Sequence, residues 1–177
     1  KSISIFKKEL GKNSNFFSYP FGEYSKEFKS IIKNFGFKYA FGQHSGVIDE
    51  SKDFYELPRF PINEKYGEIK RFKSLTRTLP FKYKKIEPEE KYLLQSKNPP
   101  KIKIEFYDNI TNLRSIGCYS NEGNKWRQSN IKFEDELNLI ISIDEKFVGE
   151  RGRVNCSLRD SSGFWRWLGI QFVLSDK

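Results

Sequence analysis

The hydrophobic pattern of this chain changes its period once along the sequence. Up to about residue 80, apolar residues recur at helical spacing or form short unbroken runs. From Lys101 onward, apolar residues alternate with polar ones, as Ile102, Ile104 and Phe106 do, which is typical of half-buried strands. The change predicts a chain of two unlike parts, with its helices confined to the first.

In the first part, predicted helices alternate with short extended segments. The helical spacing covers residues 2–10, 25–35 and 64–79, and the extended segments cover residues 15–19, 37–41 and 56–61. This alternation favours βα units around a parallel sheet. Because a parallel sheet needs more strands than these to cover its faces, we expect the remaining strands to precede residue 1.

The predicted fold class is therefore α/β plus all-β. Residues 1–82 are expected to be the C-terminal half of a (β/α) barrel. Residues 83–100 are rich in charge and proline and are expected to be a linker. Residues 101–177 show short strands separated by turn residues, which predicts a small antiparallel β-sandwich.

Composition limits the possible partners. The chain has 32 Lys and Arg against 23 Asp and Glu, a net charge of +9. Most lysines are isolated and interleaved with acids, and there is no Arg-rich run, so we do not expect a nucleic-acid partner. No apolar run approaches the ~20 residues of a membrane span. The chain has no Met, which indicates a fragment or a processed product.

The two cysteines, Cys118 and Cys156, both lie in predicted strands. They could be buried free thiols, or they could form a disulfide between strands or sheets. A single pair within one β domain favours the disulfide. That pairing would place the parent protein outside the cytoplasm, in the periplasm or secreted.

The stretch FFSYPFGEYS, residues 16–25, has the character of a strand that ends in a tight turn. Pro20 suits the last position of a strand, and Gly22 permits positive φ or close approach of another backbone. The amide of Phe21 would then point out of the sheet edge, where it could donate to an oxyanion. The alternative is an ordinary turn with aromatic packing.

Four blocks in this order resemble the polysaccharide deacetylase family of metal-dependent carbohydrate esterases. The first is FSYPFGEYS, and the second is FGFKYAFGQHSGV, residues 35–47. The third is LPRFPINE, residues 57–64, and the fourth is Tyr66-Gly67. The resemblance covers residues 1 to about 80. The part that begins near Asn98 also resembles an accessory domain attached to some of these enzymes.

The resemblance implies an irregular (β/α) barrel that hydrolyses N- or O-acetyl groups on a sugar polymer. A divalent metal, usually zinc, would polarise the carbonyl and activate water in the complete enzyme. The family's metal ligands, one Asp and two His, lie upstream of the YPFG block. This chain has a single His, so we expect it to bind no metal and to be inactive alone.

The resemblance also assigns roles to individual residues. Phe21 is expected to supply a backbone oxyanion donor, and Tyr19, Pro20 and Gly22 to shape the floor of the substrate groove. The matched blocks contain two further candidates, each with an alternative. Arg59 could orient carboxylates near the site or form a salt bridge at a strand end. His44 is a candidate catalytic acid, although the family's Leu-x-His motif is absent, and the alternative is a packing histidine.

Two functions are expected from these features. The first is part of a polysaccharide deacetylase acting on a cell-envelope or extracellular polysaccharide. The second is a non-catalytic carbohydrate-binding or interaction module, in which the sandwich binds the ligand. Trp165 and Trp167 share one strand face, and core packing and sugar stacking are both open for them. An exposed barrel edge would also favour self-association.

Overall fold

The computed structural model describes residues 1–107 and 110–175 of the chain. The other four residues, 108, 109, 176 and 177, belong to the predicted sandwich and lie outside the described part. The described chain is built mostly from strands, with three short helices. The helices are α1 (Ser2–Leu10), α2 (Lys26–Asn34) and α3 (Ile69–Leu75). The strands are β1 (Phe16–Ser18), β2 (Tyr39–Phe41), β3 (Leu79–Pro80), β4 (Tyr83–Glu87), β5 (Tyr92–Leu94), β6 (Ile102–Phe106), β7 (Gly117–Ser120), β8 (Arg127–Gln128), β9 (Asn130–Phe133), β10 (Asn138–Ser142), β11 (Arg151–Arg159) and β12 (Trp165–Ser175).

We call residues 1–78 the N-terminal lobe. Its two strands, β1 and β2, pair in parallel, and α2 connects them. The Ser25 side chain caps α2 by accepting a hydrogen bond from the Phe28 amide at 3.0 Å. α1 ends at Gly11, whose φ of 68° lies in the left-handed region that favours glycine. The buried core of this lobe is small and consists of Tyr19, Tyr24, Ile32 and Ala40.

We call residues 79–107 and 110–175 the sheet lobe. One sheet has four strands in the order β4-β6-β10-β9, all antiparallel. The other sheet has six strands and is mixed. Its path runs β3-β12-β11-β7-β8, and the short strands β3 and β5 both pair in parallel with β12.

The inward faces of both sheets contribute to one cluster of buried side chains. Alternate residues of β11, namely Val154, Cys156 and Leu158, point into it, and so do Leu168, Ile170 and Phe172 of β12. The residues between them point to the outer face of the six-stranded sheet because successive side chains of a strand alternate. That outer face is where the N-terminal lobe is attached.

The seam between the lobes is formed by close backbone contact. Gly46 forms an isolated antiparallel bridge with Leu168 of β12. Beside it, a Cβ on Gly169 would lie 2.5 Å from the carbonyl oxygen of Ser45, so only glycine allows this approach without displacing backbone. Across the same seam, Arg151 forms a salt bridge with Glu23 at 2.6 Å.

The prediction of a (β/α) barrel half followed by an antiparallel sandwich is wrong. The parallel sheet stops at β1 and β2, because the next extended segment contributes only a single bridge, between Phe41 and Leu57. No barrel closes among the described residues. Of the helix predicted over residues 64–79, only α3 (Ile69–Leu75) is helical in the structure.

The segment predicted as a linker, residues 83–100, contains β4 and β5. These two strands pair with β6 and β12, respectively. The sequence does not reveal this pairing because both strands are short, β4 is rich in charge, and their partners lie further along the chain. None of the helices in the described part of the chain has the length and apolarity of a membrane span.

Candidate functional site

A cleft of about 840 Å³ lies where the N-terminal lobe meets the outer face of the six-stranded sheet. The sheet forms its floor through the outward side chains Arg153, Asn155 and Trp167. Their position follows from strand alternation, since the neighbours Val154, Cys156 and Leu168 fill the core behind them. The floor is therefore as rigid as the sheet that supports it.

One wall of the cleft comes from two loops of the N-terminal lobe, residues 43–45 and 59–66. The Arg59 amide donates to the His44 carbonyl at 3.0 Å, which joins the two loops. Nη1 of Arg71 donates to the carbonyl oxygens of Pro61 and Tyr66 at 3.0 and 2.9 Å. The second loop is thus held in shape by a side chain of α3.

Aromatic rings line much of the cleft. Trp126 of the sheet lobe is 52% exposed, and Tyr66 on the loop wall is 38% exposed. Phe60 packs edge-on against Trp167, with ring centroids 6.3 Å apart. The amide side chains of Gln43, Asn63 and Asn155 also line the cleft. The surface combines flat apolar faces with neutral hydrogen-bonding groups.

The turn Pro20–Gly22 lies beside the cleft but does not line it. Phe21 and Gly22 have φ values of 54° and 73°, and a Cβ on Gly22 would collide with the backbone nitrogen of Gln43, a cleft residue. The buried Gln171 donates through Nε2 to the Phe21 and Gly22 carbonyls at 3.3 Å. Its Oε1 accepts from Nε of Arg153 at 3.1 Å, which connects the turn to the cleft floor.

The residues to which the resemblance assigns an oxyanion donor and a groove floor do not line the cleft. Tyr19 is buried in the small core, and its hydroxyl donates to the Tyr55 carbonyl at 2.9 Å. The Phe21 ring is exposed, with the Arg151 guanidinium 5.0 Å from its centroid. The Phe21 amide donates to no acceptor within the described chain. Pro20 and Gly22 shape the turn against Gln43 rather than contributing to the cleft surface.

Arg59 and His44 do line the cleft. Arg59 is exposed, and its Nη1 donates to the Ser18 hydroxyl at 3.1 Å. His44 is partly buried, and its buried Nδ1 has no hydrogen-bond partner among the described residues. Burial, with help from Lys91 and Lys52, lowers the pKa of His44 to about 3. Its imidazole is therefore neutral near pH 7.

The charge of the cleft has one sign. Three guanidinium groups line it, those of Arg59, Arg71 and Arg153, and no Asp or Glu is found among the described lining residues. The arginine salt bridges of the described chain belong instead to Arg127, Arg151 and Arg166. Burial and the neighbouring Arg151 lower the pKa of Arg153. The cleft thus presents positive charge without an internal counter-charge.

The residues present do not fit a metal ion. Across residues 1–107 and 110–175, no three His, Cys, Asp or Glu side chains come together in a group that could hold one. Cys118 and Cys156 form a disulfide within the sheet lobe, and both are buried on the inward face. We therefore derive no step through zinc for this chain.

Comparison with known proteins adds no family. No family model matches the chain, and no curated protein matches it with significance. The function of the chain must therefore be inferred from the geometry of the cleft.

Sequence reasoning missed Trp126, Arg153 and Asn155 as site residues. Alternation in β11 places Arg153 and Asn155 on one face, but nothing local shows that the N-terminal lobe covers that face.

Proposed function

We propose that this chain holds the polysaccharide in a carbohydrate deacetylase. It would bind a cell-envelope or extracellular polymer and present its N- or O-acetyl groups to metal-bearing catalytic groups, which do not occur among the described residues of this chain. The observation that carries the proposal is the cleft, which is lined by aromatic rings together with amide and guanidinium donors. Ligand sites of this composition use ring faces for apolar contact and a few polar groups for orientation.

The arrangement of the resembling blocks supports the deacetylase assignment. The second block supplies Gln43, His44 and Ser45 to the cleft, and the third supplies Arg59. Tyr66 of the fourth block lies on the same wall, and the turn of the first abuts Gln43. Residues that are far apart in the resembling motifs therefore meet around one surface.

The disulfide supports an extracytoplasmic location, in the periplasm or secreted. Disulfides persist in oxidising compartments and are rare in the cytosol. The Cys118–Cys156 pair is the one disulfide that the sequence could form, since the chain has two Cys. Such a location suits a protein that acts on envelope polysaccharide.

A second function, a carbohydrate-binding module without catalysis, is favoured by one observation. The cleft has no carboxylate among its described lining residues, and its one histidine is held neutral. The described lining therefore offers neither a carboxyl group nor a charged imidazole for proton transfer. The two functions differ in what they recognise, because only a deacetylase needs to distinguish acetylated from deacetylated sugar.

The experiment is a binding titration of the purified chain by calorimetry. Matched oligosaccharides with and without acetyl groups would be compared, using the protein and a Trp126→Ala variant. We expect binding that Trp126→Ala weakens about tenfold, as loss of an aromatic contact does, and that Phe35→Ala, on an exposed ring elsewhere, leaves unchanged. Preference for the acetylated form supports the deacetylase, whereas equal binding supports the module. Absence of binding to any saccharide would refute both.

A further inference from the structure

A second hollow lies next to the cleft on the same outer face of the sheet. It is lined by Lys70, Lys73 and Arg77 of α3 and its C-terminal flank, and by Phe164 and Trp165 at the start of β12. Both rings are almost half exposed, at 42% and 47%. The three cations are exposed as well. The resemblance to the deacetylase family assigns no role to this surface.

The two sites are adjacent through β12 and α3. Trp165 lines the hollow and Trp167 lines the cleft. Being two residues apart on one strand, they project to the same face about 6.7 Å from each other. α3 likewise gives Arg71 to the cleft and its lysines to the hollow. An extended polymer could therefore cross from one site to the other without leaving the face.

All charges along this path are positive. The cleft contributes Arg59, Arg71 and Arg153, and the hollow contributes Lys70, Lys73 and Arg77. The salt bridges of the described chain leave all six without an acidic partner. On the far sheet the pattern is different, since Lys103, Lys85 and Lys84 each pair with a Glu.

Arg153 is the most informative of these cations. It is partly buried, and its only side-chain hydrogen bond within the described chain goes to the neutral Gln171. Removing a charge from water without a counter-charge costs free energy. An anion bound in the cleft would recover that cost through charge-assisted hydrogen bonds.

From this arrangement we infer that the cleft and the hollow together bind a polysaccharide whose repeat carries acidic groups, either uronate carboxylates or sulfates. The inference rests on the proposed function and names its substrate class. The rings would contact the sugar faces, and the six cations would pair with successive acidic groups. A neutral polymer would use the rings but leave Arg153 unpaired.

The test uses the full 177-residue chain and four probes at equal monomer concentration. These are polygalacturonate, dextran sulfate, neutral dextran and single-stranded oligothymidylate, each titrated by calorimetry at low and moderate NaCl. We expect at least one acidic polysaccharide to bind about tenfold more tightly than neutral dextran, since charge-assisted contacts have this magnitude. Its affinity should fall as salt rises. The preference between polygalacturonate and dextran sulfate identifies the acidic group.

Two variants test the path itself. Arg153→Gln should weaken binding of the acidic polymer about tenfold and binding of the neutral polymer by less. The double variant Lys70→Gln/Lys73→Gln changes only exposed residues, and it should weaken binding of the acidic polymer severalfold. It keeps the test valid if Arg153→Gln folds poorly. Lys103→Gln is the matched control, because it removes one exposed charge from the far sheet, and it should have no effect.

The outcomes separate the two proposals. Equal affinity for neutral and acidic polysaccharide would overturn the acidic preference and leave the proposed function intact. No binding to any polysaccharide would overturn both. Tighter binding of oligothymidylate than of either acidic polysaccharide would overturn the inference and assign the basic face to nucleic acid. An unchanged affinity in both variants would also refute it.

Discussion

The N-terminal lobe and the sheet lobe differ in how much buried core each has. The sheet lobe encloses a cluster of twenty buried side chains and a disulfide. The buried cluster of the N-terminal lobe has four side chains, with Leu57 buried outside it, and neither α1 nor α3 buries any residue. Since burial of apolar surface is the main source of folding free energy, the sheet lobe is the stable framework and the N-terminal lobe depends on it.

This difference explains the position of the cleft. Its floor belongs to the stable lobe, and one wall belongs to the weakly supported one. Regions with little buried apolar surface open at lower free energy than a core does. The wall loops can therefore adjust to a polymer while the floor keeps its geometry, provided that the seam holds.

The largest effect is expected from Phe106→Ala in the sheet lobe. Phe106 is fully buried and packs against Phe81 with ring centroids 5.7 Å apart. Removing such a ring should lower the free energy of unfolding by about 3–5 kcal/mol. Urea denaturation measures this loss.

Ile32→Ala, in the small core of the N-terminal lobe, is the comparison. In this variant, hydrogen exchange should become faster in the N-terminal lobe, while the amides of the sheet lobe stay protected. Equal loss of protection in both lobes would remove the distinction.

A smaller loss is expected when the disulfide is removed. The bond joins residues separated by 38 positions, and such a cross-link restricts the unfolded chain. The double variant Cys118→Ala/Cys156→Ala should lose about 2–4 kcal/mol of unfolding free energy. Treatment of the unmutated protein with a reducing agent, followed by the same denaturation, provides a second measurement. Unchanged stability in both would show that the sheet lobe is held by its apolar core alone.

The seam gives a third prediction. In Gly169→Ala the new methyl would meet the Ser45 backbone at 2.5–2.6 Å. Such overpacking costs about 1–3 kcal/mol. This cost should weaken the contact between the two lobes. Limited proteolysis should then cleave the N-terminal lobe faster. Gly117→Ala is the control on the same sheet, because its nearest neighbour, Tyr119, is at an ordinary 3.8 Å. Equal proteolysis of the two variants would contradict the assigned seam.

The parts of the structure that the sequence could predict are local. Alternation along β11 and β12 places Val154 and Leu168 inward and Trp165 and Trp167 outward together. Gly22 permitted positive φ or close approach of a backbone, and both occur in its turn. These features follow from neighbouring residues, because side-chain period and backbone freedom are properties of short segments.

The cleft depends on contacts that no short segment contains. Gln171 connects Arg153 to the turn at Phe21, which lies 150 residues earlier in the chain. The alternation of helices and strands in the N-terminal lobe suggested a barrel, but β1 and β2 pair with each other and the next extended segment adds a single bridge. Which distant strands pair is decided by the total packing of the sheets, and periodicity cannot supply that.

The smallest effect is expected from acid, through His44 on the cleft wall. Charged Lys91 and Lys52 lie near it, Tyr24 packs beside it with ring centroids 6.1 Å apart, and its folded pKa is about 3 against an ordinary 6.5. In the unfolded chain His44 takes up a proton near pH 6.5, whereas in the folded protein it stays neutral at that pH. Acid therefore favours unfolding below about pH 6.5. Between about pH 6.5 and 5 we expect a loss of about 1.5 kcal/mol. His44→Gln should remove this part of the pH dependence in urea denaturation. A variant that keeps the full slope would show that His44 is protonated as easily in the folded state, and that the wall is more open to water than the floor.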